Sequence, residues 1–457
     1  SAAGEVSDIR KTISPVLIND SDTTLYLIDF SNTELQLGGS ALAQTMNLLG
    51  DATPNVSSAA YFSRAFTAVQ ALINQGLVLA GHDISAGGLI TALLEMCFAN
   101  TKGGLKVNLD NVSEKIIGEV DLLFAENPAV LIQVKDTKAV EAILNESSIY
   151  YAAIAKPTTE RYVSVDYNNF SFRFDIDRLR YLWYKPSYLL DRKQSGEACA
   201  EARFHNYKDQ PLQFRFSNGF SGKMSQYGIS PDRQPSGIKA AIIREKGTNG
   251  EREMAYTLYL AGFDVKDVHA TDLATGRETL EDVNFIVFCG GFSNSDVLGS
   301  AKGWAGGLLF NKKAKAALDN FYARPDTLSL GICNGCQLMV ELNLLHPDHA
   351  ERPKMLHNDS HKFESGFVGV NIPKNDSVLF GSMAGSSLGI WVAHGEGKFK
   401  FPYAENKYNI VAKYNYGEYP GNPNGSDFAA AGICSDNGRN LAMMPHLERA
   451  IFPWQWP

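Results

Sequence analysis

The pentapeptide Gly331-Ile332-Cys333-Asn334-Gly335 constrains the fold more than any other part of this 457-residue chain. A strand-forming run precedes it, and a helix-forming segment, which we expect to begin near Gln337, follows it. Glycine on both sides of a central nucleophile permits the sharp strand-to-helix turn that holds a side chain above the edge of a sheet. The sequence from Gly237 onward therefore predicts an α/β domain, with a parallel sheet covered by helices on both faces.

Three regions of the chain differ in pattern. Residues 1–192 alternate strands with helices and predict α/β or α+β layers. One predicted helix runs from Tyr61 to Asn74, with one face formed by Phe62, Phe66, Val69 and Ile73. Residues 193–236 are polar and lack sustained periodicity, which indicates a linker docked through its aromatic side chains. Residues 237–457 form the α/β domain, so we predict two structured domains and a linker.

Composition excludes several classes of function. The chain has 42 Lys and Arg against 50 Asp and Glu, a net charge of −8, so no basic excess is present to bind nucleic acid. No apolar run approaches the roughly 18 residues that span a membrane. Six cysteines in a chain of this length do not form a disulfide framework, and they favour a reducing compartment. We therefore predict a cytoplasmic enzyme with a small-molecule substrate, without nucleic-acid or membrane partners.

Cys333 is the candidate nucleophile. Its position at the start of a helix places it at the positive end of the helix dipole, which favours the reactive thiolate. We expect the main-chain amide of Asn334 to donate a hydrogen bond to an oxyanion formed there. A second donor is expected from a loop after a neighbouring strand, and the segment Cys289-Gly290-Gly291-Phe292-Ser293 fits that place.

The residues alone leave alternatives open. Cys333 and Cys336 form a C-x-x-C pair, which also occurs in redox sites and as half of a zinc site, and a buried, inert cysteine is a further reading. The base that a cysteine nucleophile needs has two candidates, each followed by glutamate at i+2. They are His394 and His446, and the position of His446 after the last predicted strand favours it.

The segment Gly81-His82-Asp83-Ile84-Ser85-Ala86-Gly87-Gly88 precedes a predicted helix in the first region. A carboxylate, a hydroxyl and paired glycines at a helix N-terminus suit Mg²⁺ and a phosphate. An ordinary capped loop explains the same residues equally well.

Several motifs resemble known families. We call the turn at Gly331–Gly335 the elbow. The elbow in GICNGCQLM, with CGGFSNSDVLGSAKGWA before it and MPHLER near the end, resembles class I (triad) glutamine amidotransferases. A further set is similar to the phosphoribosylformylglycinamidine synthase family of purine biosynthesis, in its large single-chain form: REKGTNGEREM, NDSHKFES, HGEGKF and YPGNPNGS. Upstream motifs resemble the last lobe of that family's synthetase domain, which has an aminoimidazole ribonucleotide synthetase-like fold: DIRKT, GGSALAQ, GHDISAGGL and LLFAENPAVLIQV.

The resemblance implies a role for each matching residue of the second domain. Cys333 would attack the glutamine side-chain amide and form a γ-glutamyl thioester. His446 would act as general acid and base, and Glu448 would orient its ring. The amides of Gly291 and Asn334 would hold the oxyanion.

In the first domain the resemblance implies that Asp83 binds Mg²⁺ and that Ser85 contacts a nucleotide at an auxiliary site. The whole enzyme would use ATP and ammonia from glutamine to convert formylglycinamide ribonucleotide to the amidine. This sequence lacks the long N-terminal portion of the family, which holds the other synthetase lobes. We therefore expect a fragment that hydrolyses glutamine weakly and makes no amidine alone.

One departure from the family pattern concerns the candidate triad. Leu447 stands between His446 and Glu448, where the family usually has proline. This departure motivates a non-enzymatic alternative, a glutaminase-like docking module. A cysteine hydrolase or peptidase is a third hypothesis, although it leaves GHDISAGGL and NPNGS unexplained.

Overall fold

The structure is a computed structural model that describes residues 4–6, 8–112 and 118–457. The chain divides into two compact units, Ser1–Pro186 and Ser187–Pro457. None of the helices in the described ranges has the length and apolar character needed to cross a membrane.

The first unit is built on a mixed β-sheet. Its strands are β1 (Thr24–Asp29), β2 (Val78–Asp83), β3 (Gly104–Asn108), β4 (Ala129–Val134), β5 (Tyr151–Thr158), β6 (Tyr162–Tyr167) and β7 (Phe170–Asp175). Among the described residues they lie in the order β2-β4-β1-β5-β3-β6-β7. Neighbouring strands are antiparallel except β3 and β6, which are parallel.

Helices cover both faces of this sheet. They are α1 (Ala41–Thr45), α2 (Ala59–Asn74), α3 (Gly88–Phe98), α4 (Glu119–Phe124) and α5 (Thr137–Glu146), and α6 (Ile176–Gln194) follows. Because side chains alternate along a strand, Leu25 of β1 packs in the apolar core with α3 and α4. The next residue, Tyr26, packs in a separate core with α2 and α5.

Helix α2 occurs where the sequence predicts it, but a different face is buried. Its buried residues are Tyr61, Ala65, Ala68, Val69 and Leu72. Phe62 and Phe66, which belong to the face identified from the sequence, are exposed. Two apolar stripes with the same spacing of three and four run along this helix, so periodicity predicts the helix without deciding which stripe faces the sheet.

The second unit contains a nine-stranded sheet, and all residues of this unit are described. Its strands are β8 (Lys239–Arg244), β9 (Asp264–His269), β10 (Phe285–Phe288), β11 (Leu328–Ile332), β13 (Glu364–Asn371), β14 (Ser387–His394), β16 (Asn409–Tyr414), β17 (Ala430–Cys434) and β18 (Asn440–Met443). A separate two-stranded sheet pairs β12 (Lys354–Leu356) with β15 (Lys398–Lys400). The helices are α7 (Gly196–Asn206), α8 (Glu251–Leu260), α9 (Ala270–Thr275), α10 (Lys302–Phe310), α11 (Lys312–Ala323) and α12 (Asn334–Glu341).

The prediction of a parallel sheet is right for one half of this sheet and wrong for the other. The strands β9-β8-β10-β11-β18 are parallel. The strands β17, β16, β13 and β14 continue the sheet in antiparallel order. An isolated bridge joins Trp391 of β14 to His446, just beyond β18. The antiparallel half therefore returns to the carboxyl end of the parallel half, beside the elbow.

The segment 193–236 contains more regular structure than predicted. Helix α7 lies within it, and Phe204 of this helix is buried. Farther along, Arg215 exchanges main-chain hydrogen bonds with Ser387 of β14. The ring of Phe214 lies 5.1 Å from the ring of Trp456. The contacts of Phe214 and Arg215 hold the later part of this segment against β14 and the C-terminal residues of the same unit.

Candidate active site

Cys333 occupies the turn between β11 and α12. Its φ of 51° and ψ of −105° form a strained conformation for a residue other than glycine. The amide of Cys333 donates to the carbonyl oxygen of Met443 at 2.9 Å, which extends the pairing of β11 with β18. The helix begins at Asn334 and not near Gln337, so Cys333 is itself the N-cap residue. It therefore lies closer to the positive end of the helix dipole than the sequence analysis predicts.

Glycines let this turn pack tightly. A Cβ atom on Gly331 would lie 2.4 Å from the carbonyl oxygen of Gly335. A Cβ atom on Gly335 would lie 2.0 Å from the carbonyl oxygen of Phe288 in β10. Both neighbours are main chain, which cannot rotate away as a flexible side chain can. The two glycines therefore bring the elbow against the strand that leads to the candidate oxyanion loop.

We expect Gly335→Ala to lower the free energy of unfolding by about 3 kcal/mol, because the added methyl group forces β10 and α12 apart. The matched control is Gly307→Ala in α10, where an added Cβ meets no atom within 4 Å. The control should instead raise the free energy of unfolding by about 0.5–1 kcal/mol, because alanine has a higher helix propensity than glycine. Urea unfolding of the two variants measures both effects. Equal stability of Gly335→Ala and the wild type would contradict the proposed packing constraint.

His446 and Glu448 form a buried pair near the elbow. The Nδ1 atom of His446 lies 2.7 Å from Oε1 of Glu448, and each residue is 2% exposed. The His446 amide donates to the carbonyl oxygen of Trp391 at 2.9 Å, which fixes the main chain before the pair. Leu447 is the first residue of a short 3₁₀ turn, Leu447–Arg449. The amide at such a position has no partner within the turn, so proline and leucine are both compatible with this backbone.

The environment of His446 favours its protonated form. Burial lowers the pKa of His446, but hydrogen bonding and charge interactions with Cys333 and Glu448 outweigh burial and raise the pKa to about 9. A Cβ atom on Gly290 would lie 3.0 Å from Cε1 of His446 and 3.3 Å from Cβ of Cys333, so both side chains meet at this glycine. Glu448 occupies the Nδ1 side of the ring, which leaves Nε2 for the interaction with Cys333.

The two candidate oxyanion donors flank Cys333. Gly291 pairs with Thr248 through two hydrogen bonds, from Asn249 N to Gly290 O at 2.9 Å and from Phe292 N to Gly247 O at 2.8 Å. Neither bond uses the amide of Gly291. Asn334 is the first residue of α12, and amides in the first turn of a helix have no partner within it. Both amides are therefore compatible with the predicted oxyanion role.

A hydrogen-bond network that the sequence analysis missed fixes the loops around Cys333. The fully buried Asn334 side chain accepts from Ser293 N at 3.1 Å and donates to Gln337 Oε1 at 2.9 Å. Gln337 donates to the carbonyl oxygen of Glu396 at 2.7 Å. These bonds join the loop after β10, helix α12 and the segment after β14. The sequence signal was the pair of amide side chains at i and i+3 in the first helical turn after the elbow.

The alternative base, His394, has a different environment. The carboxylate of Glu396 accepts from Ser300 N at 3.4 Å and lies 3.8 Å from the exposed His357, so it does not orient His394. Burial and the neighbouring His446 lower the pKa of His394 to about 3. His394 is therefore a neutral imidazole without a carboxylate partner. Of the two candidates, only His446 has its following glutamate within hydrogen-bond distance, and its role as general base stays a prediction.

The second cysteine of the C-x-x-C pair is fully buried in α12. Burial raises the pKa of the Cys336 thiol well above its ordinary value, and the neighbouring Cys333 raises it further. All six cysteines of the chain are unpaired. Cys336 is a poor nucleophile in this environment, because the thiol and not the thiolate is favoured.

Asp83 and Ser85 lie just before α3 in the first unit, and both are exposed. The side chain of Asp83 is 72% exposed and lies 3.4 Å from the ring of His82. In the part of the chain that the structure describes, no three His, Cys, Asp or Glu side chains are grouped to hold a metal ion. Because Mg²⁺ is commonly bound by one or two carboxylates together with water and phosphate oxygens, Asp83 fits the role of a single ligand, which stays a prediction.

The N-terminus of α3 already has an anionic partner within the chain. The Glu126 carboxylate accepts hydrogen bonds from Gly87 N at 2.8 Å and Ala41 N at 2.7 Å. The helix dipole favours a carboxylate at this position just as it favours a phosphate. The capped-loop interpretation therefore explains the paired glycines, and the nucleotide contact of Ser85 stays a prediction.

The first unit also contains a cavity of about 790 Å³. Apolar side chains such as Leu27, Leu89 and Leu122 line it together with Asp29 and Asn127. A volume of this size suits a small ligand. Neither Asp83 nor Ser85 lines the cavity, but Ile84 between them does, so the cavity borders the segment of the predicted auxiliary nucleotide site.

Comparisons with known proteins match a known domain to a part of each unit. Residues 237–457 match the CobB/CobQ-like glutamine amidotransferase domain, and residues 24–168 match the C-terminal domain of AIR synthase related proteins. A probable phosphoribosylformylglycinamidine synthase of Arabidopsis thaliana, named chloroplastic/mitochondrial, is 38% identical over 98% of this chain. The human phosphoribosylformylglycinamidine synthase is 36% identical over 100% of it. The chain belongs to the phosphoribosylformylglycinamidine synthase family.

The chain spans about a third of the length of these relatives, 33% of the Arabidopsis protein and 36% of the human protein. A solved structure described as PurLQS from Thermotoga maritima aligns with 48% of this chain and 91% of its own, at 27% identity. Its TM-score of 0.40 is too low to establish a shared fold. The domain matches confirm the predicted fold class, an α/β glutamine amidotransferase domain preceded by a lobe of the aminoimidazole ribonucleotide synthetase type.

Proposed function

We propose that residues 237–457 hydrolyse the side-chain amide of glutamine through Cys333, His446 and Glu448. The observation that carries this proposal is the buried contact of 2.7 Å between His446 and Glu448, beside a cysteine in a strained helix-capping turn. A nucleophile, a base and a group that orients the base are the three parts of a covalent hydrolytic site.

In the first step the sulfur of Cys333 attacks the amide carbon of glutamine and a carbon–sulfur bond forms. Charge develops on the carbonyl oxygen, where the amides of Gly291 and Asn334 donate hydrogen bonds worth about 3 kcal/mol each. His446 gives its proton to the amide nitrogen, the carbon–nitrogen bond breaks, and ammonia leaves. The raised pKa of His446 suits this step, because the ring is protonated at neutral pH.

In the second step water replaces ammonia. The now neutral His446 removes a proton from water, and the resulting hydroxide attacks the γ-glutamyl thioester. The carbon–sulfur bond breaks, glutamate leaves and the thiolate of Cys333 is restored. Glu448 holds the Nδ1 side of the ring throughout, so Nε2 serves both proton transfers.

The activity of the whole enzyme is a broader proposal. Ammonia from Cys333 would serve the conversion of formylglycinamide ribonucleotide to formylglycinamidine ribonucleotide, with ATP as the second substrate. ATP supplies the activation of the formyl oxygen, and the N-terminal portion of the relatives is the partner that completes the synthetase. Asp83 would contribute one Mg²⁺ ligand and Ser85 a nucleotide contact. A cytosolic location is part of the same proposal, since all six cysteines are unpaired.

We expect the chain to convert glutamine to equal amounts of glutamate and ammonia, and to make no amidine from formylglycinamide ribonucleotide and ATP. Enzymatic assays of glutamate and ammonia measure the first reaction, and chromatography of the nucleotide products measures the second. His446→Gln should lose glutamine turnover, whereas His357→Gln, a change of an exposed histidine, should keep it. Adding the N-terminal portion of a relative should restore amidine synthesis.

Labelling of Cys333 separates this proposal from the alternatives. Acivicin, a glutamine analogue that alkylates amidotransferase nucleophiles, should react with Cys333 and be blocked by glutamine. The absence of both turnover and labelling, even with the N-terminal portion added, would favour a non-enzymatic docking module. Cleavage of peptides in preference to glutamine would favour a cysteine peptidase.

A further inference from the structure

His394 is a buried polar group that the proposed mechanism does not use. The residue is 2% exposed, and among the described residues neither Nδ1 nor Nε2 of its ring hydrogen-bonds to another residue. A neutral imidazole carries one N–H donor and one acceptor nitrogen. Buried polar groups nearly always have partners, so the environment of this ring calls for a physical explanation.

The turn after β14 holds this ring in place. Asn358 makes three hydrogen bonds across the turn, through its amide to Gly395 O at 2.9 Å, through Nδ2 to His394 O at 2.7 Å, and through Oδ1 from Gly397 N at 3.0 Å. A Cβ atom on Gly397 would lie 2.5 Å from both Nδ1 and Cε1 of His394. The ring therefore packs directly against the main chain of Gly397 and has little freedom to find a partner by rotation.

The strand that carries His394 also contacts the candidate triad. The carbonyl oxygen of Trp391 accepts from His446 N at 2.9 Å, and the carbonyl oxygen of Ala393 lies 3.6 Å from Sγ of Cys333. His394 is the next residue of this strand. Burial lowers the pKa of His394, and the charge of His446 lowers it further.

We propose that His394 binds the ammonia released from glutamine and holds it beside the γ-glutamyl thioester. This inference rests on the proposed glutaminase function. Ammonia both donates and accepts hydrogen bonds, as a neutral imidazole does, and it is small enough to enter a closely packed site. The released molecule thus meets the orphaned nitrogens of His394 at the moment when the carbon–nitrogen bond breaks.

The environment of His394 keeps the bound ammonia reactive. Burial, the largest cause, lowers the pKa of His394 whether or not His446 is charged, so its ring has no acidic proton to transfer at neutral pH. Ammonia that stays unprotonated keeps the lone pair with which it attacks carbon. An ordinary histidine, which is partly protonated near neutral pH, would convert some of it to ammonium.

The partition of the thioester tests this binding. When ammonia attacks the thioester, a carbon–nitrogen bond forms, the carbon–sulfur bond breaks, the surplus proton passes to His446, and glutamine is regenerated. When water attacks, glutamate forms. The full chain is incubated with glutamine and isotopically labelled ammonia, and the label recovered in glutamine is divided by the glutamate produced. Both products arise from one intermediate, so their ratio does not depend on the fraction of folded protein.

We expect His394→Leu to lower this ratio about tenfold, the effect of losing one hydrogen bond to ammonia. His394→Gln, which keeps a neutral donor and acceptor, should retain most of the ratio. Gly397→Ala is a second test that leaves His394 in the sequence, because the added methyl displaces the ring. His357→Leu is the matched control on an exposed histidine and should leave the ratio unchanged.

An unchanged ratio in both His394→Leu and Gly397→Ala would overturn this inference alone and leave His394 as a purely structural residue. An equally low ratio in His394→Gln and in His394→Leu would also overturn the inference, since the effect would then not depend on hydrogen bonding to ammonia. A wild-type chain that neither hydrolyses glutamine nor reacts with acivicin at Cys333 would overturn the proposed function, and this inference with it.

Discussion

Replacing Cys333 with alanine is expected to lower glutamine turnover by about 10⁴-fold or more, the scale observed when a nucleophile is removed from a catalytic triad. The physical reason is the loss of the covalent route, because no other side chain at the turn between β11 and α12 provides a nucleophile. Measurement of kcat for glutamine hydrolysis, with glutamate and ammonia quantified separately, determines the size of the loss. Binding of glutamine should persist, since alanine removes the sulfur and leaves both oxyanion amides in place.

The matched control is Cys336→Ala, which changes the other cysteine of the same C-x-x-C segment. Cys336 is fully buried and its raised pKa disfavours the thiolate, so we expect turnover to stay close to that of the wild type. Equal losses in the two variants would instead indicate a redox pair in which both sulfurs are required. Retained turnover in Cys333→Ala would remove the nucleophile from the proposed mechanism.

Replacing Glu448 with glutamine is expected to lower kcat/KM by on the order of 10³–10⁴-fold, as loss of the carboxylate does in other triads. Glutamine has nearly the same shape, so the variant removes the negative charge that stabilises the protonated ring of His446. The buried position of the pair makes this charge important, because little water is present to replace it.

The same substitution should change the pH dependence in a defined direction. In the wild type the pKa of His446 is about 9, so the protonated ring that gives its proton to ammonia is lost as pH rises through that value. Without the charge of Glu448, burial still lowers the pKa of His446, and of these two residues only Cys333 remains to raise it. The alkaline limb of the kcat/KM profile should therefore move to lower pH by on the order of one unit or more.

Glu396→Gln is the control for this prediction, since Glu396 also follows a histidine at i+2 but its carboxylate does not contact that ring. Its pH profile should match that of the wild type. A shift in Glu396→Gln with none in Glu448→Gln would reverse the assignment of the base from His446 to His394.

The elbow was predictable because its cause is local. Two glycines around a cysteine, with an apolar strand before and a helix after, allow few backbone conformations. The observed φ of 51° at Cys333 agrees with that prediction. Only the first turn of the helix was misplaced, since a residue such as Asn334 is compatible with either a loop or a helix until the packing around it is known.

The choice between the two histidines depended on contacts that sequence spacing does not contain. Both His394 and His446 precede a glutamate at i+2, and both are buried. A 3₁₀ turn brings Glu448 to His446, whereas the turn after β14 directs Glu396 toward Ser300. Identical local patterns therefore have different geometries, because the main chain around each is held by different neighbours.

The sequence by itself determined the elements around the candidate nucleophile and the family, because short-range backbone preferences and motif identity depend on the residues alone. Tertiary structure decided the rest. The pairing of β14 with the end of β18 brings Trp391 to His446, and the buried amides of Asn334 and Gln337 join three separate loops. These contacts link residues tens of positions apart. Burial lowers the pKa of His394, whereas Cys333 and Glu448 outweigh burial and raise the pKa of His446.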